Sequence, residues 1–229
     1  MYGDPMKLFA HLGTYALVLA LCACSGNPFA PKKHTPEDDT DLPPAPDAIS
    51  PGQAMDNLAR AMRDRDKDLY ETLLDQNFWF TETDCLGDLV LANGFEEELE
   101  IMGGSRDGSQ PGIFDIFRTF EFDFELIRRS QELGPEYPSN PDNPNDPDAH
   151  PDEDWEVFRG RVEMLLLDEN GDGFRVDQIM TYKLRLDENG LWRIIRWDND
   201  PLSGNCGESA GKRPAGIFSW ATLKQQTAP

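Results

Sequence analysis

The side chains best suited to chemistry in this chain are few, and their places narrow what it can do. The histidines are His11, His34 and His150. One sits in an apolar run, one in a proline-acid stretch and one in a second proline-rich stretch, so none is expected inside the folded domain. That removes Ser-His-Asp and Cys-His arrangements for nucleophilic attack, most zinc sites and acid–base work by imidazole. Carboxylate or tyrosine chemistry in an apolar pocket is what remains. Tyr70, Tyr182, Gln178 and Asp198 are the candidates for it. Gln178 is in phase with Val176, Met180 and Tyr182 on an apolar strand face, where a buried amide needs a partner. The plainer readings are two packed tyrosines with satisfied hydroxyls, a core-edge glutamine and a strand-ending aspartate. Asp168-Glu169-Asn170-Gly171-Asp172-Gly173 matches the first half of a calcium loop, but its twelfth position is Ile179 rather than Glu, and flanking helices are lacking. A hairpin turn is expected there, and neither a metal nor a cofactor is expected anywhere.

The cysteines are Cys22, Cys24, Cys85 and Cys206. An apolar run from Leu8 to Leu21 follows Lys7 and closes on Leu21-Cys22-Ala23-Cys24. It falls short of the ~20 residues that span a bilayer comfortably, and Ser25-Gly26-Asn27-Pro28 then breaks any helix. A positive residue, a short apolar run and a small-residue site make an export signal. Leu-Cys-Ala-Cys resembles the lipobox of bacterial lipoprotein signals. The resemblance implies removal of 1–23, thioether-linked diacylglycerol on Cys24, and N-acylation. Several acyl chains give a stable anchor. The other readings are a secretory signal cleaved without lipid and a short buried helix.

Cys85 and Cys206 then remain as an even pair in an oxidising compartment. A disulfide between them would close a loop of roughly 120 residues and contribute ~4–5 kcal/mol by the loop-entropy model. Two separate thiols are the alternative.

The chain has 229 residues and a formal net charge of −22. Phosphate backbones would be repelled, so no nucleic acid partner is expected. An anionic lipid surface is disfavoured for the same reason, and solubility is the simplest use of the charge. The expected organisation is a signal peptide at 1–23, a flexible tether at 24–49, one domain at 50–205 and a C-terminal tail at 206–229. The tether carries Pro28, Pro31, Pro36, Pro43, Pro44 and Pro46 beside an acidic run, a composition that buries little apolar area.

Ser50 is suited to cap a helix that begins with Pro51. Ala54, Leu58, Ala61 and Met62 recur at helical spacing. Leu69, Tyr70, Leu73 and Leu74 continue as a second short helix, and Phe78-Trp79-Phe80 as an aromatic strand. A third helix is expected from Glu96 to Met102, stopped by Gly103-Gly104. Phe120, Phe122, Phe124 and Leu126 alternate with acids, so one face is buried and the other acidic. Two further alternating runs, around Phe158–Leu166 and Val176–Leu186, and a last strand from Leu191 to Asp198 follow. Asn170-Gly171 and Asn189-Gly190 lie between them, and Asn-Gly suits the positive φ of tight hairpins, so a three-strand meander is expected. The outer rows complement each other: one acidic strand faces strands with Arg159, Arg161, Lys183, Arg185 and Arg193. They read as cross-strand pairs, not as a binding patch. Between the acidic strand and the meander, residues 131–154 repeat proline every third position among acids. A solvated, disordered loop is expected, with a ligand for an aromatic groove or basic partner as the other reading.

The order of these elements, with Ala61-Met62-Arg63-Asp64-Arg65-Asp66-Lys67-Asp68-Leu69-Tyr70 near the start and Gly190-Leu191-Trp192-Arg193-Ile194-Ile195-Arg196-Trp197 near the end, resembles the nuclear transport factor 2-like family. The resemblance implies an α+β domain in which a curved antiparallel sheet packs on three N-terminal helices as a cone with a pocket. The family includes ketosteroid isomerase-like and scytalone dehydratase-like enzymes as well as non-enzymatic binding domains. The dehydratases use a histidine that this domain is expected to lack, and no isomerase residues map onto it. Tyr70, Trp79, Gln178 and Tyr182 are the pocket candidates, and Trp79, Phe80 and Trp197 would fill the cone if it were solid. The expectation is a lipid-anchored protein of the bacterial cell envelope, at the outer membrane, on its periplasmic face or at the cell surface. Its cone would bind a small apolar ligand or an envelope protein. A carboxylate- or tyrosine-based isomerase or hydrolase, and a structural surface protein, are the alternatives.

Overall fold

The structure is a computed structural model that describes residues 43–139, 141–143, 146–200 and 217–227. The expected signal peptide, Cys24, most of the tether and Cys206 lie outside the described residues. The chain from Pro44 onward forms one compact unit.

Helix α1 (Pro51–Asp64) begins as the sequence predicts: Ser50 Oγ accepts from the backbone N–H of Gln53 at 3.2 Å, and Pro51 takes the first turn. Ala54, Met55, Leu58, Ala61 and Met62 give it one buried stripe. Arg65 closes it in the left-handed region at φ 57. Asp66 then caps α2 (Lys67–Leu73) by accepting from the N–H of Leu69 at 2.9 Å. The chain runs straight into strand β1 (Leu74–Thr83), turns into β2 (Leu89–Gly94), and continues as α3 (Phe95–Gly103) and the single turn α4 (Ile113–Ile116). Three long strands follow, β3 (Thr119–Glu132), β4 (Trp155–Leu167) and β5 (Gly173–Leu186), then β6 (Trp192–Asp200). Last come the short β7 (Ile217–Phe218) and helix α5 (Trp220–Thr227).

The architecture is α+β, with a curved sheet in the order β2-β1-β6-β5-β4-β3. Neighbours are antiparallel except β1 with β6. The short β7 also adds parallel to β5, opposite Arg175 and Val176. The meander β4-β5-β6 is present. Phe120 and Phe122 of β3, Val162, Met164 and Leu166 of β4, and Val176, Met180, Tyr182 and Leu184 of β5 are buried on the face that meets the helices.

The hairpin turns differ in detail from the expectation. Asn170 and Asn189 keep negative φ, and only Gly171 (φ 84) and Gly190 (φ 76) are left-handed. Each turn is opened instead by an aspartate three residues before the glycine. Asp168 Oδ1 accepts from the N–H of Asn170 and of Asp172, and Asp187 Oδ1 from that of Asn189 and of Leu191. Asp84 does the same for Leu86 and Asp88 in the β1–β2 turn, with Gly87 at φ 83. Three copies of Asp-x-x-Gly therefore shape the sheet's turns. The Asp168 carboxylate serves the hairpin turn expected there, since its Oδ1 is used by backbone amides.

Three boundaries need correction. Pro46 and Ala48, expected in the tether, belong to the domain: Asn57 Nδ2 donates to Pro46 O at 2.7 Å and Trp192 N–H to Ala48 O at 2.8 Å. The loop expected to be disordered over 131–154 is folded wherever it is described. β3 pairs with β4 as far as Glu132 and Trp155, and His150 is only 3% exposed. Its ring stacks on Trp155, with centroids 3.7 Å apart, and against Tyr137 at 4.6 Å. The expectation of a histidine-free domain is overturned, because three aromatic rings gain burial that a solvated loop would forgo. Acids of this loop also meet the basic row of the outer sheet face: Asp148 pairs with Lys183 and Glu153 with Arg185. The third correction concerns the tail. Trp220, Ala221, Leu223 and Lys224 are all 0% exposed, so α5 is core.

The other outer-face charges pair across strands. Arg161 grips Asp177 with two hydrogen bonds of 2.8 and 2.7 Å, Arg159 meets Asp200 at 2.7 Å, and Arg185 meets Asp75 at 2.7 Å.

Candidate functional site

The cone's interior centres on Glu98 of α3. The helix turns Phe95, Glu98, Ile101 and Met102 inward together, so a carboxylate rides on an apolar stripe. Both oxygens are taken. Oε1 accepts from Tyr70 Oη at 2.7 Å, and Oε2 accepts from Asn93 Nδ2 at 2.6 Å and from Lys224 Nζ at 2.5 Å. Glu98 and Lys224 are both wholly excluded from solvent. The ammonium also lies 3.5 Å from the centroid of Phe80, 5.3 Å from that of Trp197 and 5.6 Å from that of Trp220. It is thus held by a carboxylate on one side and aromatic faces on others, the two attractions open to a desolvated cation.

Helix α5 is seated by polar groups at its first turn. Gln178 Oε1 accepts from the N–H of Trp220 at 2.8 Å, and Glu82 Oε2 from that of Ala221 at 2.7 Å. Glu82 is 2% exposed and also accepts from Asn199 Nδ2 at 3.2 Å. Asn199 in turn accepts from Trp197 Nε1 at 2.7 Å. Two buried acceptor-donor sites of the interior have no hydrogen bond, Asn93 Oδ1 and Trp220 Nε1.

Electrostatics follow from this enclosure. Burial, then the charge of Glu98, pushes the Tyr70 hydroxyl well above its ordinary range, and the same causes in the same order act on Tyr182. Burial pulls Lys224 below its ordinary value, against Glu98 drawing it back up.

Three of the four pocket candidates are brought together here. Tyr70 and Gln178 are as described, and Tyr182 is 0% exposed with its hydroxyl 3.3 Å from Met180 Sδ. Trp79 is not among them. It is 37% exposed, on the outer side of β1 against Gly94, because alternation along β1 gives the interior to Phe78 and Phe80. Phe80 and Trp197, both 0% exposed, do fill the interior. Asp198 lies on the outer side, accepting from Thr81 Oγ1 at 2.6 Å, and burial raises its pKa from the ordinary value against the Thr81 hydrogen bond. Cys85, in the β1–β2 turn, is disulfide-bonded.

Sequence reasoning missed Glu98, Lys224, Glu82 and Asn93. The available signal was a charge in phase with apolar residues: Glu98 with Phe95 and Met102, and Lys224 with Trp220, Ala221 and Leu223. Among the described residues, no group of three or more His, Cys, Asp or Glu side chains is arranged to hold a metal ion. A cleft of about 220 Å³ is lined by Tyr70, Lys67, Glu71, Leu99, Arg106 and Phe114 among others, so it reaches the tyrosine that bonds Glu98.

No family model matches this chain, and no curated protein matches it. It is similar in structure to a conserved protein from Planctomyces limnophilus, with a TM-score of 0.47 and 14% identity over 67% of this chain and 92% of that one. It is also similar to a nuclear transport factor 2-like superfamily protein from Salmonella enterica, with a TM-score of 0.44 and 13% identity over 68% and 92%. A ketosteroid isomerase-like protein from Erwinia carotovora gives a TM-score of 0.41 and 13% identity over 66% and 93%. Each is a likeness of fold and brings no activity to this chain, whose structural neighbours are nuclear transport factor 2-like and ketosteroid isomerase-like proteins.

Proposed function

We propose that this protein is a lipid-tethered binding module of the bacterial cell envelope, whose cone receives a ligand or an envelope protein without transforming it. Cys24 carries the lipid in this reading, and the proline-acid stretch holds the domain away from the bilayer. What supports binding over catalysis is the state of Glu98. A general base needs an oxygen open to its substrate, whereas Glu98 has Tyr70 on one oxygen and Asn93 and Lys224 on the other. The net charge of −22 supports the absence of a nucleic acid partner.

The test has two arms. Replacing Cys24→Ala should move the protein from the detergent phase to the aqueous phase on phase partitioning, and unchanged partitioning sinks the tether. Native mass spectrometry of the envelope-extracted chain should show a fraction carrying an unaltered small molecule or a protein partner. A chain that is always bare sinks the receptor.

One observation favours a second reading, a carboxylate–tyrosine isomerase. Tyr70 and Glu98 are a buried acid–hydroxyl pair 2.7 Å apart, the pairing such chemistry uses. Like ligand binding in the cone, it requires α5 to leave, because Lys224 and Trp220 occupy the interior. Solvent deuterium washing into a carbon of the co-purifying ligand would identify it, and a ligand recovered without deuterium excludes it.

A further inference from the structure

We propose that the cone is a receptor for a primary alkylammonium group, and that Lys224 is an intramolecular occupant of that receptor. This rests on the binding reading above and names its ligand chemistry.

The groups that hold the ammonium do not depend on α5. Glu98 is aimed by Tyr70 from α2 and by Asn93 from β2. The aromatic wall over Nζ is Phe80 of β1 and Trp197 of β6. Only Trp220 of that wall belongs to the occupant's own helix. With α5 withdrawn, the scaffold keeps an oriented carboxylate facing two aromatic faces, an arrangement that favours a cation over a neutral group.

The interior is also short of positive charge. Glu82 and Glu98 are both buried there, and among the described residues Lys224 is the cation beside them. Glu82 accepts from neutral groups, the side chain of Asn199 and the N–H of Ala221. Asn93 Oδ1 is a buried acceptor without a donor, so a second N–H on the same ligand would find a place. Buried charges of this kind add little to stability compared with apolar packing, whereas they discriminate strongly between a cationic and a neutral occupant.

The experiment uses the full chain with Lys224→Ala and follows thermal unfolding. Its midpoint should fall below that of the unmodified chain. n-Butylammonium should raise it again, at about one tenth or less of the concentration that n-butanol requires, since a charge-assisted hydrogen bond separates the two. The unmodified chain should show no such rise, and adding Glu98→Gln should erase the preference for amine. Equal rescue by alcohol and amine, or an equal rise in the unmodified chain, overturns the proposal. A peptide of residues 217–227, compared with one bearing norleucine for its lysine, separates a protein-borne lysine from a free amine. The lysine peptide binding below the n-butylammonium concentration identifies the former, and the reverse order the latter. Should Lys224→Ala not fold, amide exchange at Trp220 and Ala221 of the unmodified chain decides. n-Butylammonium should speed it more than n-butanol does, and equal rates overturn the proposal. These outcomes are independent of Cys24 partitioning and of native mass, so this inference can fail while the tethered module stands.

Discussion

Lys224 Nζ lies 2.5 Å from Glu98 Oε2, with neither side chain reaching solvent. Removing one partner of such a pair leaves an uncompensated buried charge, which costs about 3–5 kcal/mol. Glu98→Gln should therefore be severe. Lys224→Met should be milder, because Tyr70 and Asn93 still donate to Glu98. The double variant should cost less than the sum of the singles by roughly 1–3 kcal/mol. Urea unfolding of the four chains measures this, and strictly additive midpoints at equal slopes contradict the pairing.

The same interior sets an alkaline limit. Tyr70 and Tyr182 have folded pKa values raised above the ordinary 10.0. Above that value the unfolded chain releases these protons and the folded chain keeps them, so stability falls as pH rises. Lys224 has the opposite sign: its folded pKa is lowered from 10.5, so its contribution grows with pH up to that value and then levels. Below about 10 only the lysine trend acts, the two oppose each other between about 10 and 10.5, and only the tyrosine trend remains above that. Absorbance at 295 nm should show these two of the five tyrosines ionising together with unfolding. A gradual titration of every tyrosine in the folded state would refute their burial.

Much of the architecture was legible because it rests on local rules. Ser50-Pro51 starts α1 as capping preferences dictate, and the alternation from Val176 to Leu186 places Gln178 and Tyr182 on the inner face. What escaped was set by long-range partnership. Glu98 and Lys224 are 126 positions apart, and each alone looks like a surface charge on a short helix. His150 sits among acids and prolines, a composition that signals a solvated loop, and only Tyr137 and Trp155 on either side of its ring make it a buried residue. The short β2 carries exposed Leu89 and Val90 without a clean alternation, so it gave no periodic signal.

The Asp-x-x-Gly turns make a prediction about acid. Burial raises the Asp187 carboxyl, but the N–H groups of Leu191 and Asn189 and the Arg193 guanidinium outweigh it, so its folded pKa lies below the ordinary 3.8. Its contribution is present above that value and is lost as pH falls below it. Asp187→Ala should cost about 1–2 kcal/mol at neutral pH and almost nothing once the carboxylate is protonated. Asp84→Ala should cost less, since Asp187 also holds Arg193 at 2.9 Å. Chemical denaturation at neutral and at acid pH compares them, and an Asp187→Ala deficit that persists unchanged in acid argues that the turn does not depend on the charge.

The seat of α5 predicts how the C-terminal helix detaches. Gln178 Oε1 accepts from the Trp220 N–H, and Glu82 Oε2 from the Ala221 N–H. Gln178→Ala leaves a buried donor unmatched and costs about 1–3 kcal/mol. Most of that cost falls on α5 rather than on the sheet, because Gln178 lies on β5 between Val162 of β4 and the helix it caps. Hydrogen exchange should therefore quicken first at Trp220, Ala221 and Leu223, while Val162 and Met164 keep the protection of the β4–β5 ladder. Glu82→Gln should act in the same direction and more weakly, since an amide oxygen still accepts from Ala221. If Gln178→Ala speeds exchange in β4 as much as in α5, the helix is not a separable occupant and unfolds only with the domain.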